Sequence, residues 1–334
     1  MAKSDYKPGC GLDIGTMNLV SARQLSAGDQ VETKRIRDAF LDLDPAAKKT
    51  LRLSKVDYVE KEGTLIVLGD SALTMANLFK REVRRPLSRG VISSGELDAQ
   101  QILSLLIGNI VGDPVVELEN CYYSVPAAPV DDASQDIIYH QEVFRKILTE
   151  LGYTPHPMNE AMAIIYSNCS QENFSGLAVS FGSGMGNVAL AYQTVMGMEF
   201  SVARGGDWID AHAAKAVGST SARMCAIKEK GVDLAAPKNR DEEAIVLYIR
   251  ALIKYVLEHT AAQFKRVASN MDLPEPVPFV VSGGTSRATG FMQVFQEEFE
   301  AVKKRGFPIQ ISEIRLAKDP MTAVAEGLLV LASE

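Results

Sequence analysis

Near the start of the chain stands Gly11-Leu12-Asp13-Ile14-Gly15-Thr16-Met17-Asn18-Leu19-Val20, a stretch that predicts two strands joined by a tight turn. Apolar residues run up to Ile14, and Gly15 permits a bend that a residue with a side chain resists. Backbone N–H groups at the tip, from Gly15 to Asn18, suit phosphate oxygens, and the Asp13 carboxylate suits a hydrated divalent cation. An ordinary polar hairpin is the other interpretation of this stretch taken alone.

The composition excludes several classes of protein. The 334 residues are 46% hydrophobic and 23% charged, which favours two domains over one. A net charge of -7 argues against sequence-independent nucleic-acid binding, which needs a cationic surface. The basic run at 80–89 is interpreted as a solvated face or a subunit contact. No segment approaches the roughly 20 apolar residues that span a bilayer, and the first residues form neither a signal peptide nor an amphipathic anchor.

Cysteine and histidine are few and scattered. Neither residue type shows the spacing of a zinc site, and no framework of disulfides is indicated. The sequence therefore predicts a cytoplasmic protein without membrane insertion. The residues concerned are Cys10, Cys121, Cys169, Cys225, His140, His156, His212 and His259.

The first turn has a counterpart half a chain later. Residues 176–192 again run from an apolar strand through a glycine-rich turn into an apolar strand, with Ser180 in the place of Asp13. Two such units predict a duplicated α/β domain, whose turns face each other across a cleft and hold opposite sides of one polyphosphate. Two unrelated structural hairpins are the alternative.

Further elements surround these turns. The apolar strand 277–281 leads into Ser282-Gly283-Gly284-Thr285-Ser286, which is predicted to open a helix at a place where nucleotides commonly lie. Residues 241–268 predict a long helix, and Asp131-Asp132 predicts the N-cap of another. Residues 37–89 predict an inserted subdomain with two short strands, 51–59 and 64–68, and little helix.

The three glycine turns resemble the nucleotide-binding motifs of the actin and DnaK-type chaperone superfamily, and in particular bacterial actins such as MreB and MamK. Five further stretches resemble motifs of that family in the same order, so the resemblance covers almost the whole chain. They are Arg85-Pro86-Leu87-Ser88-Arg89-Gly90-Val91-Ile92, Tyr123-Ser124-Val125-Pro126, Asn159-Glu160-Ala161-Met162-Ala163, Gly205-Gly206-Asp207-Trp208-Ile209-Asp210 and the closing helix Asp319 to Gly327.

This resemblance implies an α/β, actin-like fold, which is a duplicated ribonuclease H-like fold of two domains with a nucleotide cleft between them. Domain I would comprise residues 1–158, with a small inserted subdomain at about 37–89, and would be completed by the C-terminal helix at 316–334. Domain II would comprise residues 159–315, with a helical subdomain at about 208–274.

The resemblance also implies ATP or ADP with Mg²⁺ in the cleft. By position, Asp13 would hold the metal through water, and Glu160 would act on the attacking water as the catalytic residue. A carboxylate is also favourable at Glu160 simply because a helix begins there. The implied nucleotide contacts are Gly15, Thr16, Met17, Asn18, Gly182, Ser183, Gly184, Met185, Gly186, Gly206, Asp207, Lys228, Glu229, Gly283, Gly284 and Thr285.

Two residues of the second turn depart from the family pattern D-x-G-x-G-T-T. Ser180 stands for the aspartate and Met185 for the first threonine. Serine cannot supply the charge that orders a magnesium shell, and methionine offers no hydroxyl to a phosphate. Nucleotide binding through backbone amides survives this change, so we expect slow hydrolysis or a nucleotide-binding pseudo-ATPase.

The leading functional hypothesis is therefore a cytoskeletal filament protein that assembles head-to-tail with itself under nucleotide control, with protein adaptors as further partners. A second hypothesis is a non-polymerising adaptor resembling PilM or FtsA. A third is a sugar or metabolite kinase of the same superfamily, for which the sequence shows no defensible G-x-D segment.

Overall fold

The computed structural model describes residues 5–267 and 273–333. Its strands are β1 (Cys10–Ile14), β2 (Asn18–Gln24), β3 (Val31–Arg37), β4 (Phe40–Leu43), β5 (Val59–Lys61), β6 (Thr64–Leu68), β7 (Leu87–Ser88), β8 (Val91–Ile92), β9 (Asn120–Val125), β10 (Thr154–Asn159), β11 (Gly176–Phe181), β12 (Gly186–Tyr192), β13 (Val195–Val202), β14 (Val277–Ser282) and β15 (Ile311–Leu316). Its α-helices are α1 (Lys48–Leu53), α2 (Asp70–Phe79), α3 (Ala99–Val111), α4 (Ile137–Glu150), α5 (Glu160–Asn168), α6 (Gly206–Val217), α7 (Ser221–Lys230), α8 (Arg240–Val267), α9 (Phe291–Lys303) and α10 (Ala323–Ala332).

Two five-stranded sheets organise the described residues. The first has the order β10-β9-β1-β2-β3 and the second has the order β13-β12-β11-β14-β15. In the first sheet β1 pairs antiparallel with β2 and parallel with β9, and in the second β11 pairs antiparallel with β12 and parallel with β14. The predicted duplication is thus present, because the two glycine turns join equivalent hairpins in equivalent sheets.

Each sheet has its own hydrophobic core. Side chains of α3 and α4 cover the first sheet, and those of α6, α8 and α9 cover the second. Helices α5 and α10 pack together between the sheets. A Cβ atom on Gly327 of α10 would overlap the Ala163 carbonyl of α5, and one on Gly11 of β1 would overlap the Ala325 carbonyl. Because these glycines lack side chains, α10 lies directly on β1 and α5.

The inserted segment differs from its prediction. It forms a three-stranded sheet in the order β4-β6-β5 with two helices, so the expectation of little helix was wrong. The strand expected at 51–59 was also wrong, because Leu51 is a buried residue of α1 and the strand begins at Val59. The Asp44 carboxylate accepts from the Ala46 N–H ahead of this helix, next to Pro45. That cap favours a helical turn, and the apolar pattern did not show it.

The start of α4 also corrects a prediction. Its N-cap is Asp136, whose carboxylate accepts from the Tyr139 N–H, and not the pair at 131–132. Asp131 instead accepts from the Ala203 N–H and the Tyr255 hydroxyl, and so joins the two halves of the chain.

Two other boundaries are informative. A short 3₁₀ turn at Gly284–Arg287 separates β14 from α9, where a continuous helix was expected. The long helix α8 spans Arg240–Val267, and Ala268, at the end of its predicted range, lies outside the described residues. No helix in the described part of the chain has the length and apolar character needed to cross a membrane.

Candidate functional site

A cavity of about 570 Å³ lies between the two sheets, where all three glycine turns converge. Its volume falls within the range of small-molecule sites. The predicted residues that line it are Asp13, Gly15, Thr16, Met17, Asn18, Glu160, Gly182, Ser183, Gly206, Lys228, Glu229, Gly283, Gly284 and Thr285. Four further predicted residues, Gly184, Met185, Gly186 and Asp207, are not among its lining residues.

The first and second turns touch each other. The Gly15 N–H donates to the Asn18 carbonyl at 3.1 Å, and the Gly182 N–H donates to the Met185 carbonyl at 3.0 Å, so each turn is closed by its own hydrogen bond. A Cβ atom on Gly184 would overlap the Thr16 hydroxyl and the Gly90 nitrogen. Only glycine therefore allows this approach of the two turns.

Backbone donors remain free on both turns. Within residues 5–267 and 273–333, the N–H groups of Thr16, Met17, Ser183 and Gly184 donate to no other protein atom. Free N–H groups on two adjoining turns form a surface that attracts anions such as phosphate.

Two carboxyl groups lie at the inner end of the cavity. Asp13 accepts from the Ser124 hydroxyl at 2.9 Å, while Glu160 accepts from the Ser180 hydroxyl and, at 2.8 Å, from the Asn187 amide. Burial raises the pKa of Asp13 to about 6. Burial, followed by the charge of Asp13, raises the pKa of Glu160 to about 8.

These carboxyl groups fit a divalent cation. Each resists ionisation because it is buried, and for Glu160 the charge of Asp13 adds to this effect. A bound cation would favour the ionised form of both groups. Oxygen donors of this kind suit Mg²⁺, which commonly keeps several waters and uses one or two carboxylates. Asp13 and Glu160 both line the cavity directly, and the Ser124 hydroxyl donates to Asp13.

Met185 occupies a packing position. It is 2% exposed, and a Cβ atom on Gly90 would lie 2.6 Å from its Cγ atom. The side chain therefore packs against the segment 89–90 of the first half of the chain. The substitution of a threonine by methionine thus contributes apolar contact between the two halves of the chain.

Asp207 joins the second turn to the first half of the chain. Its carboxylate accepts from the Ser183 hydroxyl at 2.8 Å and forms an ion pair with Arg85, with 3.0 Å between Oδ2 and Nη2. The Arg85 guanidinium also approaches the Met17 sulfur at 4.0 Å. Arg85 belongs to the basic run at 80–89, so that segment contributes to the contact between the halves as well as to the surface.

Lys228 and Glu229 are already engaged by protein groups. The Lys228 ammonium donates to the Gly206 carbonyl and the Asp210 carboxylate, both at 2.8 Å. Glu229 forms an ion pair with Arg37 of β3, with 2.6 Å between Oε1 and Nη1. Because Arg37 and Glu229 both line the cavity, their ion pair crosses its mouth.

The sequence interpretation missed Arg37, Arg85, Ser124 and Asn187 as site residues. Ser124 lies in a quoted motif, and Asn187 follows the second turn as Asn18 follows the first, which is a usable signal. Arg37 has no comparable signal, because its partner lies on the other half of the chain.

A second cavity, of about 580 Å³, lies between the inserted subdomain and helices α3 and α4. It is remote from the glycine turns, and its lining combines apolar side chains with both acidic and basic ones. The turns, the carboxyl groups and the free backbone donors all belong to the cavity between the sheets.

Comparison with solved structures agrees with this architecture. The chain is similar to MamK in a double helical filament, with 19% identity, a TM-score of 0.71, and coverage of 97% of this chain and 98% of that one. It is similar to MreB5 of Spiroplasma citri bound to AMPPNP, with 16% identity, a TM-score of 0.66, and coverage of 96% and 94%. It is also similar to the ethanolamine utilization protein EutJ from Carboxydothermus hydrogenoformans, with 17% identity, a TM-score of 0.58, and coverage of 99% and 91%.

Paired sheets with a cleft between them therefore define an actin-like fold, and the predicted resemblance to MamK and MreB is confirmed at the level of the fold. No curated protein matches the sequence. A family model does match it, over residues 9–332, and the chain belongs to the Volactin family.

Proposed function

We propose that this protein binds ATP or ADP with Mg²⁺ in the cavity between its sheets and forms filaments that the nucleotide regulates. The observation that carries the proposal is the convergence of three glycine turns and two carboxyl groups on one cavity of about 570 Å³. Similar structures described as bound to AMPPNP and ADP support a nucleotide as the occupant.

In this proposal the first and second turns bind phosphate oxygens from opposite sides, through the free N–H groups of residues 16–17 and 183–184. Asp13 holds the metal ion, and the third turn, at 283–285, borders the nucleoside. The metal ion, when bound, would neutralise charge on the phosphates. Residues 1–158 and the C-terminal helix α10 (Ala323–Ala332) form domain I, and residues 159–315 form domain II. The helix is shorter than the expected 316–334, because Leu316 is the last residue of β15.

Glu160 orients the attacking water, and turnover is slow. Its two oxygens accept from Ser180 and Asn187, which fix the orientation of the carboxyl group. The raised pKa of about 8 leaves it largely protonated at neutral pH when no cation is near, and a protonated carboxyl is a poor base. Ser180 supplies no second carboxylate to the metal site, so the bound nucleotide is hydrolysed slowly.

Filament formation follows from the same cleft. A nucleotide that contacts both turns favours the closed arrangement of the two halves, and closure changes the surfaces that meet the next subunit. A similar structure is that of MamK as a double helical filament, which supports self-assembly as the outcome. Assembly of identical subunits head-to-tail produces an open polymer when the rotation between them does not close a ring.

One observation favours a second candidate, a non-polymerising adaptor. Met185 contributes packing in place of a phosphate-binding hydroxyl, and this suits a protein that binds nucleotide without turning it over. Such a protein would use cleft closure to control a partner.

The decisive experiment measures binding of labelled ATP with and without Mg²⁺ to the original protein and to Asp13→Ala. We expect binding that depends on the metal in the original protein, with that dependence lost in the variant. Absence of ATP binding by the original protein would remove the proposal. Sedimentation with ATP, with ADP and without nucleotide, followed by negative-stain imaging, then separates a filament from an adaptor.

A further inference from the structure

The outer edge of β3 is open to another strand. β3 ends the order of the first sheet, and within the described ranges no strand or isolated bridge pairs with its far side. Its residues 31–35 are exposed. The opposite edge strand, β10, contains Pro155 and Pro157, which block the addition of a strand, whereas β3 contains no proline.

The backbone groups that face outward can be identified. The Leu25 N–H donates to the Gln30 carbonyl at 2.9 Å, so Gln30 faces β2. In an antiparallel ladder alternate residues face the partner strand. The N–H and C=O groups of Val31, Thr33 and Arg35 therefore point away from the sheet and are positioned to bond a further strand.

The charges of β3 select one partner and one register. We propose that a second copy of this chain pairs with β3 in antiparallel fashion, about a two-fold axis at Thr33. Glu32 then lies opposite Lys34 of the second copy, and Lys34 opposite Glu32. A two-fold axis at Glu32 or at Lys34 would instead place like charges opposite each other at the centre.

The proposed register also suits the other residues. In this register the outward-facing N–H and C=O groups of Val31 meet those of Arg35 in the second copy, and those of Thr33 meet those of Thr33. The hydrogen-bonding groups at both strand edges therefore find partners. Within one chain the Lys34 ammonium already lies 3.5 Å from the Glu32 carboxylate. Pairing therefore creates a cluster of four charges that alternate in sign.

The contact is closed and self-complementary, because the same patch is used on both copies. It joins the two first sheets into one continuous sheet of ten strands. It needs no nucleotide and is separate from a head-to-tail filament contact, so it goes beyond the proposed function. Where filaments form, it would link two of them side by side in opposite directions.

The test uses analytical ultracentrifugation of the full chain without nucleotide and in the presence of EDTA. We expect a dimer that dissociates on dilution. Glu32→Lys and Lys34→Glu each place like charges opposite each other twice, and each is expected to weaken dimerisation by on the order of tenfold or more. An equal mixture of the two variants restores opposite charges at both positions and is expected to dimerise again.

Two controls sharpen the test. Glu62→Lys makes the same charge change at an exposed residue of the inserted subdomain and is expected to dimerise as the original protein does. Thr33→Pro removes an N–H that β2 does not use, so the variant is expected to fold and to remain monomeric. A monomeric original protein, a dimer that persists in the charge variants, or a mixture that stays monomeric would each overturn the proposal.

Discussion

The Arg37 guanidinium of β3 and the Glu229 carboxylate of α7 form an ion pair across the mouth of the cavity, with distances of 2.6 and 3.2 Å between nitrogen and oxygen atoms. Each residue belongs to a different half of the chain and both line the cavity, so the pair connects the two halves beside a bound ligand. We therefore expect the pair to slow the opening of the cleft.

Glu229→Gln is expected to speed nucleotide dissociation about two- to fivefold, because half-exposed ion pairs contribute about 0.5 to 1 kcal/mol. Stopped-flow release of a fluorescent ATP analogue measures the rate. Glu60→Gln, which breaks the exposed pair with Lys48 far from the cavity, serves as the control. The double exchange Arg37→Glu with Glu229→Arg should return the rate towards its original value, and slower release in Glu229→Gln would contradict the role of the pair.

Gly184→Ala is expected to weaken ATP binding by about tenfold or more, because the added methyl group overlaps Thr16 and Gly90 and costs about 1 to 3 kcal/mol. Isothermal titration calorimetry with ATP and Mg²⁺ measures the affinity. Gly95→Ala is the matched control, since a Cβ atom there would have its nearest neighbour at 3.9 Å. Equal affinity in the two variants would show that the two turns need not touch.

Ser180→Asp adds a third carboxyl group beside Asp13 and Glu160 in a position where Ser180 is 1% exposed. Without metal we expect the free energy of unfolding to fall by on the order of 3 kcal/mol, because the added charge is buried without a partner. With Mg²⁺ and ATP the loss should shrink, and phosphate release should accelerate. Thermal denaturation and a coupled phosphate assay measure the two effects.

Ser180→Ala separates the charge from the loss of the hydroxyl in that experiment. It removes one hydrogen bond to Glu160 and adds no charge, so Mg²⁺ should change its stability only as much as it changes that of the original protein. If Ser180→Asp behaves in the same way with and without the metal, the assignment of Asp13 to a cation site fails.

His140→Leu is expected to make the protein less sensitive to acid. His140 is fully buried in the first core, neither ring nitrogen has a hydrogen-bond partner, and burial lowers its pKa from 6.5 to about 3. As the pH falls from 6.5 towards 3, the unfolded chain therefore gains a proton that the folded protein does not accept, and stability is lost.

The size of this effect follows from the linkage of protons to folding. Between pH 7.5 and pH 5 the loss is about 2 kcal/mol, at 1.36 kcal/mol for each pH unit below the unfolded pKa. Urea denaturation at pH 7.5 and pH 5 measures the difference, which should be smaller in His140→Leu by that amount. His156→Leu makes the same substitution at a partly exposed position near Asn120 and serves as the matched control.

Glycine turns next to apolar strands were the most informative part of the sequence. The turn after Ile14 and the turn after Phe181 were both predicted as hairpin tips, and both join strands at equivalent places in two sheets. The need for glycine is local in both turns, because a Cβ atom would lie 2.9 Å from the Asn18 carbonyl oxygen at Gly15 and 3.0 Å from the Met185 carbonyl oxygen at Gly182. The helix that begins at Glu160 was also predicted. Its start depends on local sequence too, since the Asn159 side chain caps it.

Other features were not predicted, because residues outside the stretch that was considered decide them. Residues 48–53 form a helix that a nearby cap supports, although 51–59 was predicted as a strand. Met185 was expected at the phosphates on position alone, and the contact of its side chain with Gly90 was not foreseen. In both places the outcome depends on neighbours that a short stretch of sequence does not reveal.

The sequence by itself determined the repeated strand-turn-strand units, the actin-like fold and many of the residues around the cavity, because each depends on local residue types in a regular order. Only the tertiary structure decided which side chains face each other across the cleft. Thr16 meets Gly184, Asp13 raises the pKa of Glu160, and Arg37 pairs with Glu229. Such contacts join residues more than a hundred positions apart, and their geometry is set by how two separately packed sheets come together.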